Sequence, residues 1–384
     1  MTMETMQPTL KSGRYAWDRI NMPVEEFQER VKKIRKVMKK EGIDLLLLYG
    51  NGFNDYGNYS YVSNTIARLP QGSMVALPLK GEVTLMFEGA SRGVSSVKKM
   101  TWIDDVRASG NISKECIAYL KEKQLTSCVI GGVGLKRLMP SYQYRLLTDS
   151  LPGRKIGDSD RLLNELRMVK SRAEILQIRR TARIVSRVFD FITSTPFLES
   201  PENVLEAAAR REARLEGAED FRMMILKPSE KNEAFRPPEE RIIRSGDWMI
   251  IYVAVEFERY WADAVRTFAF KESAFAEIQP GTVKTLYENI LQGMKIRKRM
   301  SQFYRETRAK VAKARFEEIL DYGMGQGIGL SLKELPLIAK EDRTLLADGI
   351  CLFLRLGIRD KELGTIMVGD TIYLSKAGPE VVTR

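Results

Sequence analysis

The 384-residue sequence contains no histidine. Histidine is the commonest metal ligand and the usual proton carrier near neutral pH, so its absence excludes Ser-His-Asp and Cys-His nucleophiles and HExxH zinc sites together. Cysteine is nearly as scarce: Cys116, Cys128 and Cys351 stand far apart, an odd number with no CxxC spacing. A cysteine metal cluster is therefore not expected, and free thiols in a reducing cytoplasm are. Long apolar runs are missing too, and the first residues, MTMETMQPTLKSGRYAWDR, carry no small-residue cleavage pattern. Neither a signal peptide nor a membrane span is expected. Low-complexity tracts and short repeats are also lacking.

What is present is globular in character, with 44% hydrophobic and 29% charged residues, and the length points to two domains. The net charge is +12, which admits a polyanionic partner such as nucleic acid, although a lysine-rich solvated surface explains it as well. Residues 295–315, KIRKRMSQFYRETRAKVAKAR, concentrate nine cations against the single acid Glu306. Ile296, Met300, Phe303, Val311 and Phe316 interleave as the apolar side of one or two helices, leaving a basic outer face.

Helices and strands alternate in the first part. PVEEFQERVKKIRKVMKKEG places Phe27, Val31, Ile34 and Val37 at helical spacing before Gly42. DLLLLYG and SCVIGG read as buried strands, SMVALPL and EVTLMF as a hairpin joined at Lys80-Gly81, and ISKECIAYLKEK as a helix. This predicts a small α/β domain over residues 1–160, with LPGRKIGDSD as a linker, and a second domain over 161–384. The second domain opens with a capping box at Ser171 and Glu174, followed by the buried stripe Ile175, Ile178, Ala182, Val185 and Ile192. A further helix follows, with Ser200 as cap and Gly217 as terminator.

Four phrases in order, LLNELRMVKSRAEILQIRRTARI, SGDWMIIYVAVEFERYWADAVRTF, GMGQGIGLSLKELP and VGDTIYL, resemble the creatinase, prolidase and Xaa-Pro aminopeptidase family. The resemblance covers residues 160–384 and implies an α+β "pita-bread" domain preceded by the family's smaller α/β domain. It also implies a homodimer acting on a small-molecule substrate. Metal-dependent members hold two divalent ions with two aspartates, one histidine and two glutamates. Matched phrase by phrase, those positions fall on Tyr252, Asp263, Gln326, Arg355 and Gly369, so only Asp263 is retained, and Asp370 follows the last. The histidine of an upstream loop falls on Phe235, and another on Lys333, beside a retained Glu334. Four carboxylates that need cations are replaced by a set whose charge sums to zero, Asp263 against Arg355. No metal cofactor is expected.

Several residues carry two readings. In residues 249–270, MIIYVAVEFERYWADAVRTFAF, a two-residue turn at Phe257-Glu258 would set Tyr252 opposite Asp263, with the phenol hydrogen-bonded to the carboxylate. Asp263 is then a catalytic acid or base, or half of a structural pair with Arg355 that lowers its pKa. Glu334 is a catalytic base or a structural acid. Tyr252, Tyr260 and Trp261 stack on a ligand or belong to the core. Lys333, Arg222 and Arg236 clamp a carboxylate or lie on the surface. The loop GMGQGIG lacks phosphate-loop spacing and reads better as a tightly packed turn.

Two functions follow. One is a metal-independent enzyme for hydrolysis or elimination at a C–N bond of a small amide-, amidine- or amino-acid-like compound. Glu334 or Asp263 would move the proton, Arg355 and Gln326 would hold negative charge, and Tyr252, Phe235, Lys333, Asp370 and Tyr260 would line the substrate site. The other is a pseudoenzyme that binds or scaffolds. Ordinary Xaa-Pro dipeptidase chemistry lacks its Lewis acid here.

Overall fold

The computed structural model describes residues 16–52, 55–66, 71–151, 156–228, 234–271, 274–277, 281–318, 322–360 and 364–384. Most of the N-terminal stretch considered for targeting signals lies outside them. The chain forms two compact units, Met1–Arg167 and Met168–Arg384.

In the first unit α1 (Val24–Glu41) buries Phe27, Val31, Ile34 and Met38 at helical spacing and stops at Gly42. Then come β1 (Leu45–Asn51), α2 (Gly57–Ser63), β2 (Gly72–Pro78), β3 (Thr84–Glu88), α3 (Val94–Lys98), β4 (Asp105–Ser109) and α4 (Ile112–Glu122). They are followed by β5 (Ile130–Val133), α5 (Leu135–Leu138), α6 (Ser141–Asp149), β6 (Gly157–Asp158) and α7 (Asp160–Met168). The mixed sheet has the order β4-β3-β2-β1-β5-β6. All of β1 is buried, which is why it reads as LLLL rather than as an alternating strand. The hairpin expected at Lys80-Gly81 joins β2 to β3. Part of the expected linker is instead sheet, because β6 pairs in parallel with β5 before α7 begins.

The second unit begins with α8 (Arg172–Ser194), whose capping box between Ser171 and Glu174 is present, and α9 (Glu202–Leu215). The N-cap of α9 is Pro201 rather than Ser200. Strands β7 (Asp220–Leu226), β8 (Trp248–Phe257), β9 (Tyr260–Lys271) and β10 (Ala274–Glu277) lead to α10 (Gly281–Gln292) and α11 (Met300–Lys313). The basic segment is thus helical from Met300 onward. The chain closes with β11 (Glu317–Glu318), β12 (Gly325–Gly327), β13 (Glu334–Leu337), β14 (Ile350–Asp360), β15 (Gly364–Ser375) and β16 (Gly378–Val381).

These strands make one sheet of order β13-β12-β14-β15-β9-β8-β7, with β10, β11 and β16 as side branches. One face carries the helices. Ile251, Val253, Val255, Ala262 and Ala264 pack under α8 and α9, and Leu352, Leu354, Leu356, Ile366 and Val368 under α10 and α11. Each buried Ile, Val or Leu among them contributes roughly 1.5–3 kcal/mol, enough to fix which residues face the helices. Alternation then sends the intervening residues to the opposite face, and that face carries the site.

Candidate functional site

Register brings the five positions singled out in the sequence onto one face. Tyr252 pairs with Val265, Val265 with Gly369, and Gly369 with Arg355, while Gln326 pairs with Phe353, two residues from Arg355. Asp263 is two residues from Val265, so it shares the face. The expected turn is displaced by one residue. The β8–β9 turn is Glu258-Arg259, with Phe257 opposite Tyr260, and Asp263 therefore lies opposite Ala254 rather than Tyr252. Both turn residues have positive φ, 48° and 69°, the backbone of a two-residue hairpin turn that Asn-Gly would adopt more readily. Arg259 is held there by buried acids. Its N–H donates to Glu219 Oε2 at 2.8 Å, and its guanidinium pairs with Glu258.

The displacement keeps every side chain on its face, so the expected contact forms on the diagonal. Tyr252 Oη donates to Asp263 Oδ2 at 2.9 Å. Thr371 Oγ1 lies 3.2 Å from Oδ1 and accepts the Asp263 N–H at 2.9 Å. Asp263 is 0% exposed, and the surroundings are apolar: Leu226, Ile250, Val265, Phe353 and Met367, with Phe235, Tyr252 and Tyr322 packed against them. Ring centroids are 6.2 Å apart for Phe235 and Tyr252, 4.9 Å for Phe235 and Tyr322, and 6.0 Å for Tyr252 and Phe353, all near edge-to-face.

Burial pushes the Asp263 carboxyl up to about 7, against the opposing pull of the Tyr252 and Thr371 hydroxyls and the Arg355 charge. Burial likewise raises the Tyr252 phenol well above its ordinary value, with the Asp263 charge adding to it. The expected ion pair is absent. Arg355 donates from Nε and Nη2 to Gly323 O at 3.3 and 3.1 Å, and its guanidinium lies 5.5 Å from the Tyr322 ring centroid and 5.6 Å from that of Phe353. The guanidinium is therefore engaged by a carbonyl and two rings instead of by Asp263, and desolvation prevails over its weak pull on the acid.

The set does not fit a divalent ion. It offers one carboxylate, a phenol and an amide beside a guanidinium, which has no acceptor. Gly369 cannot take back a ligand side chain as packed, because a Cβ there would stand 2.8 Å from Leu354 O and 2.9 Å from Val265 Cγ1. Gln326 Nε2 reaches Leu332 O at 3.5 Å. At its neighbour Gly325, φ is 138° and a Cβ would meet Phe353 O at 1.8 Å, so the glycines of this loop serve close strand approach.

Other predicted site residues are placed elsewhere. Glu334 is tied into a buried ion pair with Lys170 at 2.8 Å, the side chains being 6% and 2% exposed, and accepts Ser331 N–H at 2.9 Å. Asp370 pairs with Ala264, which puts it on the helix face, where Arg266 Nη2 and Thr383 Oγ1 donate to it at 2.6 and 2.9 Å. Neither it nor Tyr260, buried with its hydroxyl 3.3 Å from Glu174, lines the front face. Lys333 is exposed, and Arg236 is paired with Glu202 at 2.7 Å. Arg222 lies over the ring of Trp261, which is itself buried. The residues that sequence reasoning missed are Thr371, Tyr322 and Lys170. Thr371 could have been found from the alternation of VGDT, while the other two become neighbours of the site only through tertiary packing.

Residues 177–376 match the metallopeptidase family M24, and residues 30–169 match the creatinase/prolidase N-terminal domain. An Xaa-Pro dipeptidase of Pyrococcus horikoshii is 23% identical over 368 residues, 93% of this chain and 97% of that one. YkvY of Bacillus subtilis is 24% identical over 243 residues, 60% of this chain and 65% of its own length. Among solved structures, the prolidase of Pyrococcus horikoshii OT3 superposes with a TM-score of 0.77 at 19% identity, covering 93% of this chain and 98% of that one. The fold is therefore the expected α+β pita-bread domain, preceded in sequence by a smaller α/β domain, and the chain belongs to metallopeptidase family M24.

Proposed function

We propose that this chain is a non-catalytic member of the family, a metal-free protein that kept the fold and acts by binding. The observation that carries the reading is the state of Asp263, the one retained ligand position: 0% exposed, capped by the Tyr252 hydroxyl, and packed among aromatic side chains. An acid or base must reach the atom whose proton it moves, and this one is out of reach. Glu334, the other acid considered, is neutralised by Lys170. Xaa-Pro dipeptide hydrolysis, the activity named for the Pyrococcus relative, needs a Lewis acid and an activated water, for which this donor set has no cradle.

One observation favours the metal-independent enzyme instead. A carboxyl pushed up to about 7 is poised for proton transfer at neutral pH, and Tyr252, which keeps part of its surface exposed, could relay the proton to a small C–N compound. One experiment addresses both readings. Protein purified without chelator is analysed for transition metals and assayed with Xaa-Pro dipeptides and a panel of small amides and amidines. The expected result is less than one equivalent of metal and no turnover. Two equivalents of metal with dipeptide cleavage would overturn the proposal, and metal-free turnover abolished by Tyr252→Phe would favour the enzyme.

A further inference from the structure

A cavity of about 970 Å³ opens between α10 and α11, built entirely within the second unit. Four lysines line it: Lys295, Lys298, Lys310 and Lys313. Two of them are steered inward by the C-terminal end of α10. Lys298 Nζ donates to Gly293 O at 2.7 Å and to Glu306, and Lys310 Nζ donates to Asn289 O. Gly293 permits this approach, since a Cβ there would stand 3.1 Å from Lys310 Nζ. An ammonium has three protons, so both amines keep donors for another acceptor. Lys295 and Lys313 are exposed and make no ion pair among the described residues. The amines crowd one another: the Lys310 pKa is lowered by burial first, then by the Lys298 charge and more weakly by that of Lys295, with Glu306 opposing in part. Gathering like charges around a cavity costs free energy that an anion would recover.

From this geometry we infer that the α10–α11 groove binds the phosphate backbone of single-stranded nucleic acid. The volume lies at the top of the small-molecule range and the cavity is more open to solvent than enclosed, which suits a segment of an extended chain better than an enclosed ligand. Thr285, Asn289 and Gln292 supply hydroxyl and amide groups for base edges, and Phe316, half-buried against the core beneath the helices, also lines the groove. The inference does not rest on the reading of the front face.

The test is fluorescence anisotropy of a labelled 12-nucleotide oligo-uridine titrated with the full chain across a range of salt concentrations. Binding that weakens steeply with salt is expected. Lys295→Glu/Lys313→Glu changes exposed lysines only, so the fold is retained. It is expected to weaken binding by at least about tenfold at low salt and to shrink the slope of log K against log salt by about 1.4, two phosphate contacts at about 0.7 each. The control Lys39→Glu/Lys40→Glu alters net charge equally on the exposed side of α1 and is expected to leave binding near wild type. Three results would each overturn the inference: no binding by the wild type, equal weakening by the control, or a nucleoside triphosphate that competes as well as the oligonucleotide.

Discussion

Replacing Asp263 by Asn gives a stability change whose sign depends on pH. In the folded chain the carboxyl is pushed up to about 7, against an ordinary value of 3.8. Between those values the native state holds a proton that the unfolded state has released. Stability therefore falls as pH rises, by about 1.4 kcal/mol per pH unit, and levels off above pH 7. About three units give a loss of about 4 kcal/mol across the window. The substituted amide cannot ionise, so the variant escapes that loss. The amide does lose the match to Tyr252 and Thr371, a constant cost of about 1–3 kcal/mol. The variant should thus be the less stable protein at pH 4 and the more stable one at pH 8, with the curves crossing near about pH 4.5 to 6. Urea unfolding at five pH values, followed by tryptophan fluorescence to which Trp248 and Trp261 of this unit contribute, measures the difference directly. A difference that stays constant between pH 5 and 8 would refute the desolvated carboxyl. A flat difference there joined to one that turns against the variant as pH rises toward about 4 would mean that Arg355 holds Asp263 ionised after all.

Two further outcomes follow from the buried charges. Lys170→Met strands Glu334 in a site where both side chains are nearly inaccessible, so a loss of about 3–5 kcal/mol is expected, measured by urea unfolding at pH 7. Arg259→Gly relieves a positive φ worth about 1–2 kcal/mol yet removes the guanidinium from Glu219 and Glu258, worth about 3–5 kcal/mol, so the melting temperature should fall rather than rise.

Where sequence sufficed, local physics decided the outcome. The Ser171–Glu174 capping box and the Lys80-Gly81 hairpin follow from capping and turn chemistry and are present, and the α1 stripe follows from periodicity at Phe27, Val31 and Ile34, with Met38 buried in place of the expected Val37. The sharing of one face by Tyr252 and Asp263 is legible because strand alternation survives a turn displaced by one residue. What is not legible depends on partners far along the chain. The Glu258-Arg259 turn carries no glycine and is fixed by Glu219, some forty residues earlier, so turn propensity points one residue away. Only charge balance assigns Arg355 to Asp263. Charge balance does not say where a long side chain lies, and a carbonyl at Gly323 with two aromatic rings receives it instead. Glu334 is open to a catalytic reading only because nothing in its own phrase announces Lys170.

The four changed positions and the retained Asp263 also hold one another in place. A carboxylate returned at position 355 would join Asp263, whose charged form the apolar cluster already disfavours, so neither acid would gain a countercharge to stabilise it. A glutamate at position 369 would have to shift the β14 backbone, because its Cβ would stand 2.8 Å from Leu354 O. An aspartate at position 252 would leave a gap where the Tyr252 ring packs against Phe235 and Phe353. Each of these three reversals therefore costs stability before any ion could repay it, and all three, with a fourth at position 326, would be needed together. The front face is stable as an apolar patch around one buried acid, and this mutual dependence, rather than the change at any one position, is what disfavours a divalent ion among the residues present.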